Sequence, residues 1–229
     1  MLFLRHKTFW VKKIILLLAT FFIAFTAKAE EDAFCTWTSV TFDKSFGKWS
    51  VGLMSQYRHK IHKGISDAEQ FIARPRGSYK VRPWFTVRYQ MDFASSSKGF
   101  NISSIPELTF SHKVGDFTLA FRQRSVTTWW LVPGTNSTVL RSRAKVDYAI
   151  PKTPLTAHFS AEPYWCNFSK DSFLLFQKIR WHAGFSIKVL DNLTILPEYV
   201  CQAYYNDKGK YARRTYDDHV IHVSFIVKL

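Results

Sequence analysis

Acidic side chains are scarce in this sequence: 17 Asp+Glu stand against 32 Lys+Arg, a formal charge of +15 over 229 residues. Cysteine is scarcer still, with three in all. That excludes a disulfide-dense miniprotein, and no Cys/His spacing of metal-ligand type occurs. Nine Gly and eight Pro exclude a collagen-like or low-complexity chain. No long segment repeats apolar residues at intervals of three and four, so helices are not expected. Aromatic residues, by contrast, are abundant: 21 Phe, 10 Tyr and 8 Trp rule out disorder. The charge on its own suggests a nucleic-acid binder, but its distribution along the chain argues otherwise.

Arg5, Lys7, Lys12 and Lys13 precede an apolar run from Ile14 to Phe25, followed by Ala27-Lys28-Ala29. A basic start, a short apolar stretch and an A-x-A ending predict a secretory signal peptide over residues 1–29, leaving 30–229 as a single domain. The run is too short to anchor a helix across a ~30 Å hydrocarbon core. Its removal leaves 27 basic against 17 acidic side chains, a charge of +10. Secretion weakens the nucleic-acid reading. It also places Cys35, Cys166 and Cys201 where disulfides form, and three is odd, so at least one thiol has no partner within the chain.

The remainder alternates with a period of two. In residues 85–93, Phe85, Val87, Tyr89, Met91 and Phe93 interleave with Thr86, Arg88, Gln90 and Asp92. In residues 178–189, Ile179, Trp181, Phe185, Ile187 and Val189 interleave with Lys178, Arg180, His182 and Lys188. Eleven strands are predicted: 34–42, 49–62, 70–80, 84–93, 105–113, 117–126, 138–150, 155–165, 176–189, 193–205 and 218–229. Most are longer than the ~5–6 residues usual in globular sheets and suit the ~9–11 of a membrane-crossing strand. Short turns (43–48, 81–83, 114–116, 151–154, 190–192) alternate with longer loops (63–69, 94–104, 127–137, 166–175, 206–217), as in outer-membrane barrels. The expected fold is therefore an all-β antiparallel transmembrane β-barrel of ten to twelve strands, with short periplasmic turns and longer extracellular loops. A soluble secreted β-sandwich also alternates and is the competing fold. Eleven strands would make the first and last parallel, unless 34–42 is an edge strand or plug outside the wall.

Several features recur along the mature chain. Phe34-Cys-Thr-Trp37-Thr-Ser-Val-Thr-Phe42 opens it, followed by Lys44, a Phe-Gly-Lys-Trp turn at 46–49, a strand ending Tyr57-Arg58-His59-Lys60, and later Arg141-Ser-Arg143. This resembles the DUF2490 family of bacterial, Bacteroidota-type outer-membrane proteins. The resemblance implies an outer-membrane barrel of unknown function and supplies no catalytic residues.

In a membrane barrel the polar parity faces the lumen. Its expected basic members are Arg58, Lys60, Arg74, Arg76, Lys80, Arg88, Arg122, Arg124, Arg141, Arg143, Lys145, Lys178, Arg180, Lys188 and Lys228. Its expected acids are Asp92, Glu107, Asp147, Glu162, Glu198 and Asp218. Trp49, Trp84, Trp129, Trp130 and Trp165 are expected at the lipid interfaces. A cationic lumen suits either a side-chain-filled structural cylinder or a narrow pore favouring anions. The expected partners are outer-membrane lipid or lipopolysaccharide and the barrel-assembly machinery, with no nucleic acid, no cofactor and a monomeric state. A barrel hydrolase of the lipase or protease class is the enzymatic alternative, but its lipid-facing candidates, Ser142 and His219, lie on strands that are not neighbours. Asp92, Asp218 and His219 near one rim are likewise dispersed. The loops between strands carry Phe100, Trp129, Trp130, Arg213 and Arg214, suited to capping the barrel or meeting an outside partner.

Overall fold

Eleven strands close into one barrel in the computed structural model, which describes residues 33–62, 65–97, 99–131, 136–166, 175–206 and 213–229. The strands are β1 (Ala33–Phe46), β2 (Trp49–His62), β3 (Ile65–Arg82), β4 (Phe85–Ser96), β5 (Gly99–Val114), β6 (Phe117–Trp130), β7 (Asn136–Ala149), β8 (Leu155–Cys166), β9 (Leu175–Lys188), β10 (Leu193–Asn206) and β11 (Arg213–Lys228). The expected signal peptide and most of the expected loops 166–175 and 206–217 lie outside the described residues. Sequential strands pair antiparallel, and closure is made by β1 lying parallel to β11, from Ala33 opposite Asp218 to Asp43 opposite Lys228. Residues 34–42 are thus part of the wall rather than an edge or plug. An odd count leaves the first and last strands running the same way, and the sheet closes through that one parallel seam.

Two expected long loops are strand. Only two residues separate β2 from β3, and two separate β4 from β5. Residues 63–69 and 94–104 carry Gly and Ser that resemble loop chemistry, but the ladders continue through most of them and override local preference. Phe100, Trp129 and Trp130 are likewise strand residues, and Arg213 and Arg214 begin β11. The short turns stand close to where they are expected, the first tightened to Gly47 and Lys48 because residues 43–46 continue β1. Gly47, first of the two residues between β1 and β2, takes φ 61°, as does Gly115 at 58° between β5 and β6. A positive φ at the first central position is what a type II′ hairpin requires.

The distribution of exposure is the reverse of a soluble domain. Trp49 is 61% exposed and Phe159 51%, whereas Glu107 is 2% and Glu162 1%. One closed sheet with apolar side chains outside and charged ones inside excludes the β-sandwich, whose core is apolar. Hydrocarbon solvates such an exterior, so the fold is a transmembrane β-barrel. Polar exceptions on the outer face are satisfied locally: Ser142 Oγ donates to Gln123 Oε1 at 2.6 Å, and Tyr89 and Ser104 hydroxyls meet at 2.9 Å.

Gly184 on β9 is a point of close approach. A Cβ there would come within 2.4 Å of the Pro197 carbonyl oxygen and 2.8 Å of Glu198 Cα. It would also meet His158 Nε2, which crosses the glycine from β8 to reach Glu198 on β10 at 3.2 Å. Gly184→Val is expected to destabilise the barrel by about 1–3 kcal/mol through overpacking. Urea unfolding of the refolded barrel in vesicles measures this; an unchanged midpoint would contradict the contact.

Candidate functional site

Inward side chains are identified by contacts between strands that are not neighbours, which meet on the concave side of the wall. Arg122 on β6 reaches Glu162 on β8 at 2.6 Å, and Arg143 on β7 lies 3.5 Å from Glu198 on β10. Lys60 on β2 pairs with Asp218 on β11 at 3.1 Å, and Arg76 on β3 pairs with Asp43 on β1. Alternation then assigns the rest of each strand.

Three glutamates organise the waist of this lumen. Glu107 takes Arg88 at 3.2 Å and Arg124, with Arg122 at 3.9 Å, and accepts from Gln90 at 3.1 Å. Glu162 holds Arg122 and, at 3.0 Å, Arg141. Glu198 gathers three imidazoles: His158 Nε2 and His182 Nδ1 at 3.2 Å and His222 Nδ1 at 3.3 Å. His182 Nε2 also lies 3.7 Å from Glu162. Beside the waist, Arg74 binds both oxygens of Asp92, and Lys145 pairs with Asp147 at 2.7 Å. In a low-dielectric interior such cations need these carboxylates, because desolvating a lone charge costs several kcal/mol, of order 3–5 when one partner of a buried pair is removed.

Toward the long-loop side the partners change. Trp37, inward on β1, lies beneath the guanidinium of Arg58, 4.5 Å from its centroid, and within 5.1 Å of that of Arg180. The Tyr164 ring has Arg141 at 4.4 Å, Arg180 at 4.7 Å and Lys178 at 4.8 Å. Arg58 donates to Gln56 (2.8 Å) and Gln70 (3.2 Å), and Arg180 to Gln202 (2.5 Å). Among the described residues, Arg58, Lys178 and Arg180 have aromatic and amide partners but no carboxylate ion pair. The nearby Asp218 is engaged by Lys60 and accepts from the Tyr204 hydroxyl at 2.9 Å.

Several contributors were not marked from sequence. Asp43 falls in the turn expected at 43–48, and Trp37 in the strand expected at 34–42, with no face assigned to it. His158, His182 and His222 share the inward parity, but their convergence on one carboxylate depends on how β8, β9, β10 and β11 are staggered. Lys188, expected in the lumen, is 58% exposed and donates to Asp191 Oδ1 at 2.7 Å in the next turn. That contact holds the Asp191 carboxyl below its ordinary pKa.

The aromatic belt is clearest at the short-turn rim. Trp49 packs on Tyr79 at 4.6 Å, Phe117 on Tyr148 at 4.8 Å, and Trp84 stacks with Phe85 and Phe110. At the other rim Trp129 is exposed, and Trp165 meets Phe176 at 5.2 Å, which in turn meets Tyr205 at 4.8 Å. Trp130 is a correction. It pairs with the buried Asn101 and shares the face of Arg124, so alternation places it inside the wall.

The enzymatic candidates stay apart. Ser142 bonds Gln123 between β6 and β7, whereas His219 Nδ1 lies 2.5 Å from the Tyr199 hydroxyl between β10 and β11. Asp92 is inside with Arg74, and Asp218 is inside with Lys60. Cys35 faces the lumen and Cys201 the exterior, so these two cannot join.

Fold and interior together define a transmembrane barrel with an ion-paired interior. The chain belongs to the family described as protein of unknown function (DUF2490), whose model matches residues 34–213. It is also similar to a solved structure of NanC porin in a rhombohedral crystal form, at 14% identity and a TM-score of 0.47, covering 84% of this chain and 99% of that one. No curated protein matches the chain.

Proposed function

We propose that the protein is a bacterial outer-membrane barrel, delivered by its signal peptide, that forms a narrow anion-favouring pore and acts as a monomer without catalytic chemistry. The observation that carries this reading is the set Arg58, Lys178 and Arg180, three inward cations whose partners are rings and amides. Cations without carboxylates in a low-dielectric wall draw in mobile anions, and rings of Arg and Lys select anions in pores. The waist sets the width. Arg143 is its loosest member, donating to Ser160 Oγ at 2.9 Å and lying 3.5 Å from Glu198.

Planar-bilayer recording of the refolded barrel tests the reading. Small channels preferring chloride over potassium are expected, with a larger unit conductance in Arg143→Ala. Heat-modifiable migration in outer-membrane fractions is expected for its location. The near-zero exposure of Val200, Val220 and Glu162 favours a second reading, a sealed structural cylinder. Absence of channels in both the wild type and Arg143→Ala would establish that reading instead, and a cation preference would overturn the first.

A further inference from the structure

A cavity of about 250 Å³ lies within the lumen on the short-turn side of the waist. Its walls include Arg88, Arg122, Arg143 and Lys145, the hydroxyls of Thr86 and Thr109, and a single carboxylate, Glu107. That carboxylate is already committed to Arg88, Arg124 and the Thr109 hydroxyl, with Arg122 beside it. Around the waist five arginines (88, 122, 124, 141 and 143) share three glutamates. Two positive charges therefore remain after pairing, and the cavity gives them open space. The Arg88 side chain retains 32% exposure and that of Lys145, which is paired with Asp147, 30%; among the described residues Arg122 Nε is buried with no hydrogen-bond partner.

We propose that this cavity binds a small dianionic oxyanion, of phosphate or short dicarboxylate type. The anion would sit among Arg88, Arg143 and Lys145, with Thr86 positioned to donate its hydroxyl. Two oxyanion charges match the two left over in the waist. Charge-assisted bonds from guanidinium and ammonium groups are the strong ones, and the Thr86 hydroxyl adds direction. The volume lies below the ~300–1,000 Å³ of pockets for drug-sized ligands, which favours a small solute. The inference rests on the anion-favouring reading of the lumen and adds the class of anion and its place.

Isothermal titration of the refolded, detergent-purified barrel at constant ionic strength tests it, with inorganic phosphate in one arm and succinate in the other. Saturable one-site binding is expected in at least one arm. Lys145→Gln and Arg143→Gln should each weaken it about tenfold or more, the scale of one lost charge-assisted hydrogen bond. Thr86→Val, which leaves every ion pair intact, should weaken it by a smaller factor. Lys48→Gln, in an exposed turn, should leave it unchanged. No saturable heat in either arm, or equal binding by all variants, would overturn the proposal. Anion channels without saturable binding would sink the site alone, whereas binding without channels would sink the pore and leave the site standing.

Discussion

Glu162→Gln is expected to cost about 3–5 kcal/mol of barrel stability, because it removes the carboxylate and leaves its partners buried. The glutamate side chain is 1% exposed and holds two guanidinium groups, Arg122 and Arg141, from two other strands. A glutamine keeps the shape and one acceptor oxygen but supplies no charge. Arg122 would then depend on Glu107, 3.9 Å away and already shared, and Arg141 would keep only the face of Tyr164. Urea unfolding in phospholipid vesicles, followed by tryptophan fluorescence and gel migration, reads the loss. Combining the change with Arg122→Met should recover part of it, since the cost lies in the stranded charge rather than in the lost pair. A loss below about 1 kcal/mol would show a lumen wet enough to screen its ion pairs.

Phe159→Arg should cost about 2–4 kcal/mol in a bilayer, through the penalty for arginine on the lipid face near the midplane. Phe159 is near the middle of β8, 51% exposed, and stacks on Trp181 at 6.0 Å. At a water-exposed position the same change would usually stay within about 0.5 kcal/mol. Phe159→Leu, which keeps the site apolar, should remain close to wild type. The experiment tests the inversion of the barrel directly. If Phe159→Arg proved as mild in vesicles as Phe159→Leu, the exterior would not be facing lipid.

The sequence made the wall readable because its signals are local. Successive side chains in a strand point to opposite faces, so Arg141 and Arg143 could be assigned to one surface and Ser142 and Ala144 to the other without knowledge of the fold. Strand ends were less legible. The polar residues at 63–69 and 94–104 have turn chemistry, but pairing carried β2 and β3, and β4 and β5, past them. Trp130 was misplaced because an aromatic near a strand end suggests an interface, whereas its parity with Arg124 places it within.

The scarcity of acids had a similar history. Composition alone showed a basic chain, and alternation showed that the basic residues share the inner face. Neither could show that five arginines meet three glutamates across the lumen, that three histidines surround Glu198, or that Arg58 and Arg180 both reach the Trp37 ring. Those meetings depend on the tilt of the strands and on the stagger fixed when β1 closes against β11. That closure is a contact between residues almost two hundred positions apart along the chain, as in Ser39 with Ser224. Parity is a property of each strand taken alone and belongs to the sequence. Height within the barrel is a property of all eleven strands together, and only the closed sheet decides it.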